Sequence, residues 1–208
     1  DDLFSADGTV VRSRVANAKQ DFKWSVGEIA IQNARVNWHD QQTGTQFAFK
    51  ELSFNADKFA FDERSKVRLA MAISGDFTKL PRFVTWATAV QIDHKLERIL
   101  FSESHIEVMA SEKPSIQQPL ATVMTFPDAE INLARQSFQL SGLQVQNGEI
   151  KINADITGEQ IMDNPTIRGS ADIAPFNPRA SFKQWGVDLP EFRDATALSN
   201  LSLNSHFR

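Results

Sequence analysis

The sequence contains no cysteine and no tyrosine among its 208 residues. The absence of cysteine excludes disulfide bonds, thiolate metal sites and cysteine nucleophiles, but it is compatible with both reducing and oxidising compartments. No stretch approaches the run of about 20 apolar residues that a membrane helix needs, and no basic-then-apolar signal stands at the start. Because the chain begins at Asp1, we expect a fragment or a processed form, with any anchor or signal upstream.

The sequence also lacks the patterns of catalytic and nucleic-acid-binding proteins. Its formal net charge is -4 and its basic residues are spread along the chain, so it carries no electrostatic footprint for DNA or RNA. The histidines lie in separate segments without metal-ligand spacing, and there is neither a Gly-x-Ser-x-Gly elbow nor a glycine-rich phosphate loop. We therefore expect no enzyme activity, no metal site and no cofactor.

What the sequence does contain is strict alternation of apolar and polar residues, most clearly from Ile131 to Ile173. A period of two places the apolar side chains on one face of a β-strand and the polar ones on the other. Turn-forming pairs, spaced a strand length apart, divide this stretch: Ser141-Gly142, Asn147-Gly148 and Asn164-Pro165. The spacing predicts an antiparallel meander.

The same alternation predicts strands before and after this stretch, at Glu28 to Asp40, Gln46 to Ala56, Lys66 to Gly75, Leu96 to Ala110 and Leu198 to His206. The apolar phase slips near Gln32-Asn33, which indicates a bulge or a short turn, and again between Phe49 and Leu52, and it breaks at Glu103-Ser104. Residues 77–92 fit a helix turn as well as a twisted strand, and we predict a strand because Thr and Val are frequent there. Residues 111–119 hold two prolines and are predicted as a loop.

One helix is predicted near the C-terminal end, at Phe176 to Gly186. Asn177 suits the N-cap, Pro178 the first helical position and Gly186 the residue after the end. Phe182 and Trp185 are three residues apart and share a face, through which we expect the helix to brace one end of the sheet. The predicted count is roughly ten to twelve strands without βαβ alternation, which disfavours a parallel nucleotide-binding sheet.

Two stretches resemble the AsmA family of Gram-negative envelope proteins, which is related to TamB and to bridge-like lipid-transfer proteins. Residues 29–52, IAIQNARVNWHDQQTGTQFAFKEL, resemble the family's strand ending in Trp-x-Asp, its Thr-Gly turn and its return strand. Residues 166–203 resemble its Gly-strand, its Phe-x-Pro-Arg helix, Leu189-Pro190 and the Asp-x-x-Ala-Leu segment at 194–198. Trp185 departs from the leucine-type residue that family members often carry.

The resemblance implies a mainly β fold, a long antiparallel meander sheet curled into an open apolar groove with one short helix near the C-terminal end. It further implies a periplasmic location, an inner-membrane anchor in a segment not present here, and transfer of phospholipid toward the outer membrane. We expect residues 1–22 to form a polar, mobile lead-in and residues 23–208 to form a single AsmA-like segment. The expected partners are phospholipid acyl chains and other envelope proteins.

The candidate lipid-contact residues are the apolar members of the alternating strands: Ile29, Ile31, Leu52, Phe54, Val67, Leu69, Met71, Ile73, Ile131, Leu133, Phe138, Leu140, Leu143, Val145, Ile150, Ile152, Ile156, Ile167 and Ile173. For each residue taken singly, ordinary core packing is the favoured explanation, and only the whole set, together with the resemblance, favours a groove. An alternating sheet must hide its apolar face either against a second layer or against something from outside the chain. Two further hypotheses remain, an assembly scaffold that binds a partner strand at a sheet edge and a carbohydrate-binding sandwich using Trp38, Trp86 and Trp185.

Overall fold

A computed structural model describes residues 25–41, 43–75, 78–110, 121–185, 189–190, 194 and 196–208. The described residues form mainly strands, with one short helix near the C-terminal end. In chain order the elements are β1 (Ser25–Val26), β2 (Ile29–His39), β3 (Gln46–Ala56), β4 (Phe59–Ala60), β5 (Arg64–Gly75), β6 (Thr78–Ile92), β7 (Arg98–Ala110), β8 (Thr122–Asn132), β9 (Ser137–Asn147), β10 (Ile150–Glu159), β11 (Thr166–Phe176), α1 (Pro178–Gln184) and β12 (Leu201–Phe207).

Ten of these strands form one sheet in the order β12-β11-β10-β9-β8-β7-β6-β5-β3-β2. Every neighbouring pair is antiparallel, and each strand lies beside the one that precedes it in the sheet, so the predicted meander is confirmed. The two ends of this order, β2 and β12, do not pair with each other, so the sheet stays open and is not a barrel. The short strands β1 and β4 pair with each other beside β5.

Local side-chain hydrogen bonds fix the turns that set the register. In the hairpin between β2 and β3, the Thr43 hydroxyl donates to the Asp40 carboxylate at 2.8 Å, and Gly44 adopts a left-handed φ of 72°. In the turn between β6 and β7, the Asp93 carboxylate accepts from the backbone N–H groups of Glu97 at 2.8 Å and Arg98 at 2.9 Å. The bond from the Arg98 backbone is the main reason why the pKa of Asp93 lies below its ordinary value.

The slips in the apolar phase correspond to β-bulges. The register shifts between Ile31 and Ala34 in β2 and between Lys50 and Ser53 in β3. A third shift lies between Ala87 and Ala89 of β6, where the extra residue belongs to β7, at Glu103. The left-handed residues there are Asn33 (φ 52°), Glu51 (φ 54°) and Glu103 (φ 53°). Each bulge inserts an extra residue that returns the following apolar side chains to the same face. The predicted bulge at Gln32-Asn33 and the break at Glu103-Ser104 are confirmed.

Several predictions about the middle of the chain need correction. Ser141-Gly142 is not a turn, because β9 runs through it without interruption and Gly142 (φ 63°) forms a bulge. Leu133 lies in the turn after β8, and Leu96 (φ 57°) lies in the turn before β7. The strand predicted over residues 77–92 is confirmed as β6, and β8 begins well before Ile131. The predicted lead-in and the predicted loop at residues 111–119 lie outside the described residues.

Candidate apolar binding face

The register aligns one apolar side chain from every strand of the sheet into a continuous row. Residues directly opposite each other in an antiparallel pair lie on the same face, so the pairing can be followed from strand to strand. We call this set the central apolar row, and from β2 to β12 its members are Ile31, Phe54, Leu69, Trp86, Ile106, Met124, Val145, Ile152, Ile173 and Leu203. The row crosses the whole sheet without a polar residue.

Parallel rows extend this apolar face on both sides of the central row. One runs from Phe49 through Ile73, and another from Ile92 through Ile99 and Ile131 to Phe138. The candidate lipid-contact residues all lie on this face, except Leu133 in its turn: Ile29, Ile31, Leu52, Phe54, Val67, Leu69, Met71, Ile73, Ile131, Phe138, Leu140, Leu143, Val145, Ile150, Ile152, Ile156, Ile167 and Ile173. We call the whole surface the apolar face.

Sequence reasoning missed several members of the apolar face in the middle strands. They are Val84, Trp86, Val90, Phe101, Ile106, Val108, Met124 and Phe126, which the pairing of β6, β7 and β8 places there. The alternation of Val84, Trp86 and Val90 was visible in the sequence. This alternation does not identify a strand face by itself, because the same spacing also suits a helix turn.

The opposite face of the sheet is predominantly polar along the corresponding row. On this face a second row runs beside the central apolar row, with one residue from each strand paired to the next. From β2 to β12 its members are Ala30, Asn55, Arg68, Ala87, His105, Thr125, Gln144, Asn153, Asp172 and Asn204. We call it the polar face. It also carries the ion pair between Arg98 and Glu130 at 2.8 Å, and the hydrogen bond from Arg98 holds the pKa of the Glu130 carboxyl below its usual range.

No second layer covers the apolar face within the residues that the structure describes. The extensive contacts between the described elements join hydrogen-bonded neighbours of the sheet, or involve the short strand β4, which contacts β1 and β5. The buried apolar residues are four alanines and Phe126, and the largest fully buried side chains are Pro178 and Ser65. Ile31 remains 44% exposed and Leu203 52% exposed at the two ends of the central apolar row. A sandwich, the form proposed for a carbohydrate-binding module, is therefore wrong for this part of the chain.

Two buried hydroxyl groups on the apolar face form hydrogen bonds at the bulge of β7, whereas the buried indole nitrogen of Trp86 has no hydrogen-bond partner among the described residues. The Thr88 hydroxyl lies 2.7 Å from the Ser104 hydroxyl and 3.1 Å from the Ser102 backbone oxygen. Next to this bulge the Trp86 and Phe101 rings pack with their centroids 5.4 Å apart. These bonds offset the cost of burying hydroxyl groups among apolar side chains, so the surface remains apolar in character.

The predicted helix is confirmed as α1, but it begins only at Pro178 because Phe176 belongs to β11, and the predicted terminal residue Gly186 lies outside the described residues. Trp185, which follows α1, meets the apolar face at the end of β9. The Asn177 side chain caps the helix by accepting from the Ala180 N–H at 3.2 Å, and Pro178 follows it. The Phe182 and Trp185 rings are in edge contact, with centroids 5.5 Å apart. The Trp185 indole N–H donates to the Asn147 Oδ1 at 3.0 Å, and register places Asn147 on the apolar face.

Removal of the N-cap is expected to loosen α1 from the sheet. Asn177→Ala leaves the Ala180 N–H without its acceptor, and we expect a loss of about 1 kcal/mol in the free energy of unfolding, measured by chemical denaturation. Asn177→Asp is the matched control, because an aspartate caps a helix equally well. Equal losses in the two variants would show that the cap does not hold this helix.

The structure does not assemble the other side chains considered for chemistry. In the described part of the chain no group of three or more His, Asp or Glu residues could hold a metal ion. Trp38, Trp86 and Trp185 lie apart, on the edge strand β2, in the central strand β6 and beyond α1. His94 contacts Asp62 at 2.9 Å between two exposed turns. Among the described helices, none has the length and apolar character required to cross a membrane.

Comparisons with known proteins return no match. No family model matches the sequence, and neither a curated protein nor a solved structure matches it.

Proposed function

We propose that the chain is a non-enzymatic lipid-handling module whose apolar face binds the acyl chains of phospholipids. The observation that carries this proposal is the central apolar row, which crosses all ten strands of the sheet while no second layer packs on it in the described residues. The two end members of the row are exposed and the eight between them are half-buried, and a continuous apolar surface that no second layer covers marks an interaction surface. A flexible hydrocarbon chain suits such a surface because it can follow the rows of side chains across the sheet.

The dimensions and energetics of the sheet favour this occupant. Ten strands spaced about 4.8 Å apart make the central apolar row about 43 Å long, against about 15 Å for the hydrocarbon of one leaflet. The row is therefore long enough for more than one acyl chain placed end to end. Each methylene transferred from water contributes about 0.8 kcal/mol, so ten of them contribute about 8 kcal/mol. That gain favours transfer of the acyl chains of a phospholipid from water to the apolar face.

The resemblance to the AsmA family supports the cellular setting that we propose. We infer that the module works in the periplasm, anchored to the inner membrane by a segment outside this chain. There it would bind or conduct phospholipid between the inner and outer membranes and so support outer-membrane biogenesis. The helix α1 would brace one end of the lipid-binding surface, because Trp185, which directly follows it, donates a hydrogen bond to Asn147 at the end of β9.

Lipid extraction from the purified chain tests this proposal. We expect mass spectrometry of an organic extract to show phospholipid in at least about equimolar amount, because the apolar face would otherwise contact water. Protein that is delipidated, mixed with phospholipid vesicles and purified again should regain the same phospholipid content. An extract without phospholipid, together with a dimer in solution that covers the apolar face, would contradict the proposal.

The two open edges favour a second candidate function, an envelope assembly scaffold. No described residue pairs with the outer side of β2 or of β12, and Trp38 on β2 is 55% exposed. Such an edge can accept an additional strand from a partner protein. Photo-crosslinkers placed along β2 and β12 distinguish the functions, since a scaffold should yield protein adducts at these edges and a lipid module should yield lipid adducts on the apolar face.

A further inference from the structure

The polar face contains a depression of about 530 Å³ that the lipid proposal does not use. Its floor is formed by small residues of the central strands, among them Ala70, Thr85 and Ala87. Because these side chains are short, the longer polar side chains around them stand above the floor and form a rim. This volume lies within the range of about 300–1,000 Å³ that is typical of sites for small molecules.

Two basic side chains stand on opposite sides of the floor. Arg68 on β5 pairs with Ala87 on β6, and Ala87 pairs in turn with His105 on β7. The two basic residues are therefore separated by two strand spacings, about 10 Å, with only a methyl group between them. An oxyanion placed over Ala87 could receive hydrogen bonds from both sides.

The side chains that line the depression include Arg68 and His105 but no carboxylate, and the neighbouring carboxylate on this face, Glu107, lies opposite Thr85 at its border. The amide side chains of Gln32 and Asn55 add further hydrogen-bond donors. The ion pairs found in the described residues are Lys58–Glu63, His94–Asp62 and Arg98–Glu130, so Arg68 has no carboxylate partner there. An arginine on a concave surface that lacks a carboxylate partner in the described part of the chain can bind phosphate through two parallel hydrogen bonds.

We propose that this depression binds a small phosphorylated organic anion, with Arg68 and His105 holding the phosphate group over Ala87. The depression has room beside the phosphate for an organic part of about the size of a sugar, which would rest on the small floor residues. A carboxylate would be satisfied by Arg68 alone, whereas a phosphate presents acceptor oxygens in several directions and uses both sides. The site lies on the face opposite the apolar face, so it does not rest on the proposed lipid function.

Titration calorimetry with the full chain tests this site, using glucose 6-phosphate and inorganic phosphate as probes. We expect saturable binding of glucose 6-phosphate, weaker binding of inorganic phosphate, and a loss of about tenfold or more in affinity for Arg68→Gln. His105→Gln should weaken binding severalfold. Arg168→Gln is the matched control, because Arg168 lies on the polar face of β11, far from the depression, and should leave the affinity unchanged.

Binding to vesicles that display a phosphate monoester headgroup identifies the source of the ligand. If phosphatidic acid vesicles bind in an Arg68-dependent way and glucose 6-phosphate competes, the site accepts the phosphate of a lipid as well as that of a free metabolite. Absence of saturable binding for every probe would overturn the proposal. Equal affinity of the wild-type chain and the Arg68→Gln variant would overturn it too, and circular dichroism would verify that the variant is folded.

Discussion

Replacing Ile152 with aspartate is expected to weaken the binding of a fluorescent phospholipid probe by about tenfold or more. Ile152 lies in the central apolar row, between Val145 on β9 and Ile173 on β11. A carboxylate at this point would face hydrocarbon, where a charged side chain costs about 3 kcal/mol. Even partial escape of the carboxylate to water leaves a cost above the 1.4 kcal/mol that corresponds to a tenfold change.

Asn153→Asp is the matched control for this variant. The neighbouring residue lies on the polar face, opposite Gln144 and Asp172, so the same new side chain meets water there. Both variants place an aspartate in β10 and carry the same low strand propensity. We expect Asn153→Asp to bind the probe as the wild-type chain does. A similar loss in both variants, or no loss in Ile152→Asp, would contradict lipid binding at the apolar face.

Gly169→Ala is expected to destabilise the sheet by about 2 kcal/mol, which is large for the addition of one methyl group. Gly169 on β11 lies opposite Ile156 on β10 and Phe207 on β12. A Cβ atom at this position would collide with the backbone oxygen of Asp155 and would lie 2.8 Å from the Phe207 ring. The ring can turn away, but the backbone oxygen can move only if the ladder between β10 and β11 shifts.

Chemical denaturation followed by circular dichroism measures this loss, with Gly27→Ala as the control. A Cβ atom on Gly27 meets nothing within 4 Å, and this residue has no left-handed φ. An alanine there should change the free energy of unfolding by no more than about 0.5 kcal/mol. If Gly169→Ala unfolds at the same denaturant concentration as the control, that result contradicts the close packing of β10 against β11 around Gly169.

Alternation predicted the sheet well because its cause is local. A strand buries or exposes side chains with a period of two. The slips of that period near Asn33, Glu51 and Glu103 correspond to β-bulges. Between Phe49 and Leu52 the extra residue is Glu51, whose left-handed conformation restores the apolar face. The cap at Asn177 was predictable for the same reason, since it needs only residues that are neighbours in sequence.

The errors arose where one local signal permits two structures. Gly142 adopts the left-handed conformation that a hairpin turn requires, but here it forms a bulge inside β9. Pro127 lies close to Gly142, with its Cδ 3.1 Å from the site of a Cβ on that glycine. A proline is tolerated in a strand at such an interruption of the ladder, and the apolar phase of β8 slips there, between Phe126 and Ala129.

The polar-face depression and the contact of α1 could not be read from the sequence. Arg68 and His105 approach a common point only because β6 places a small residue between them. Trp185 and Asn147 are 38 residues apart, and their hydrogen bond depends on how the chain returns after β11. Such contacts depend on the register of several strands together, which no local pattern specifies.

Site-specific photo-crosslinking along β9 tests most directly whether lipid covers the apolar face. A photoreactive phenylalanine analogue would replace Leu143, Gln144, Val145 and Gln146 one at a time in cells. The alternating register predicts phospholipid adducts at Leu143 and Val145 and none at Gln144 and Gln146, because only the first two side chains lie on the apolar face. Protein adducts in place of lipid at Leu143 and Val145, or lipid adducts of equal yield at all four positions, would contradict the account.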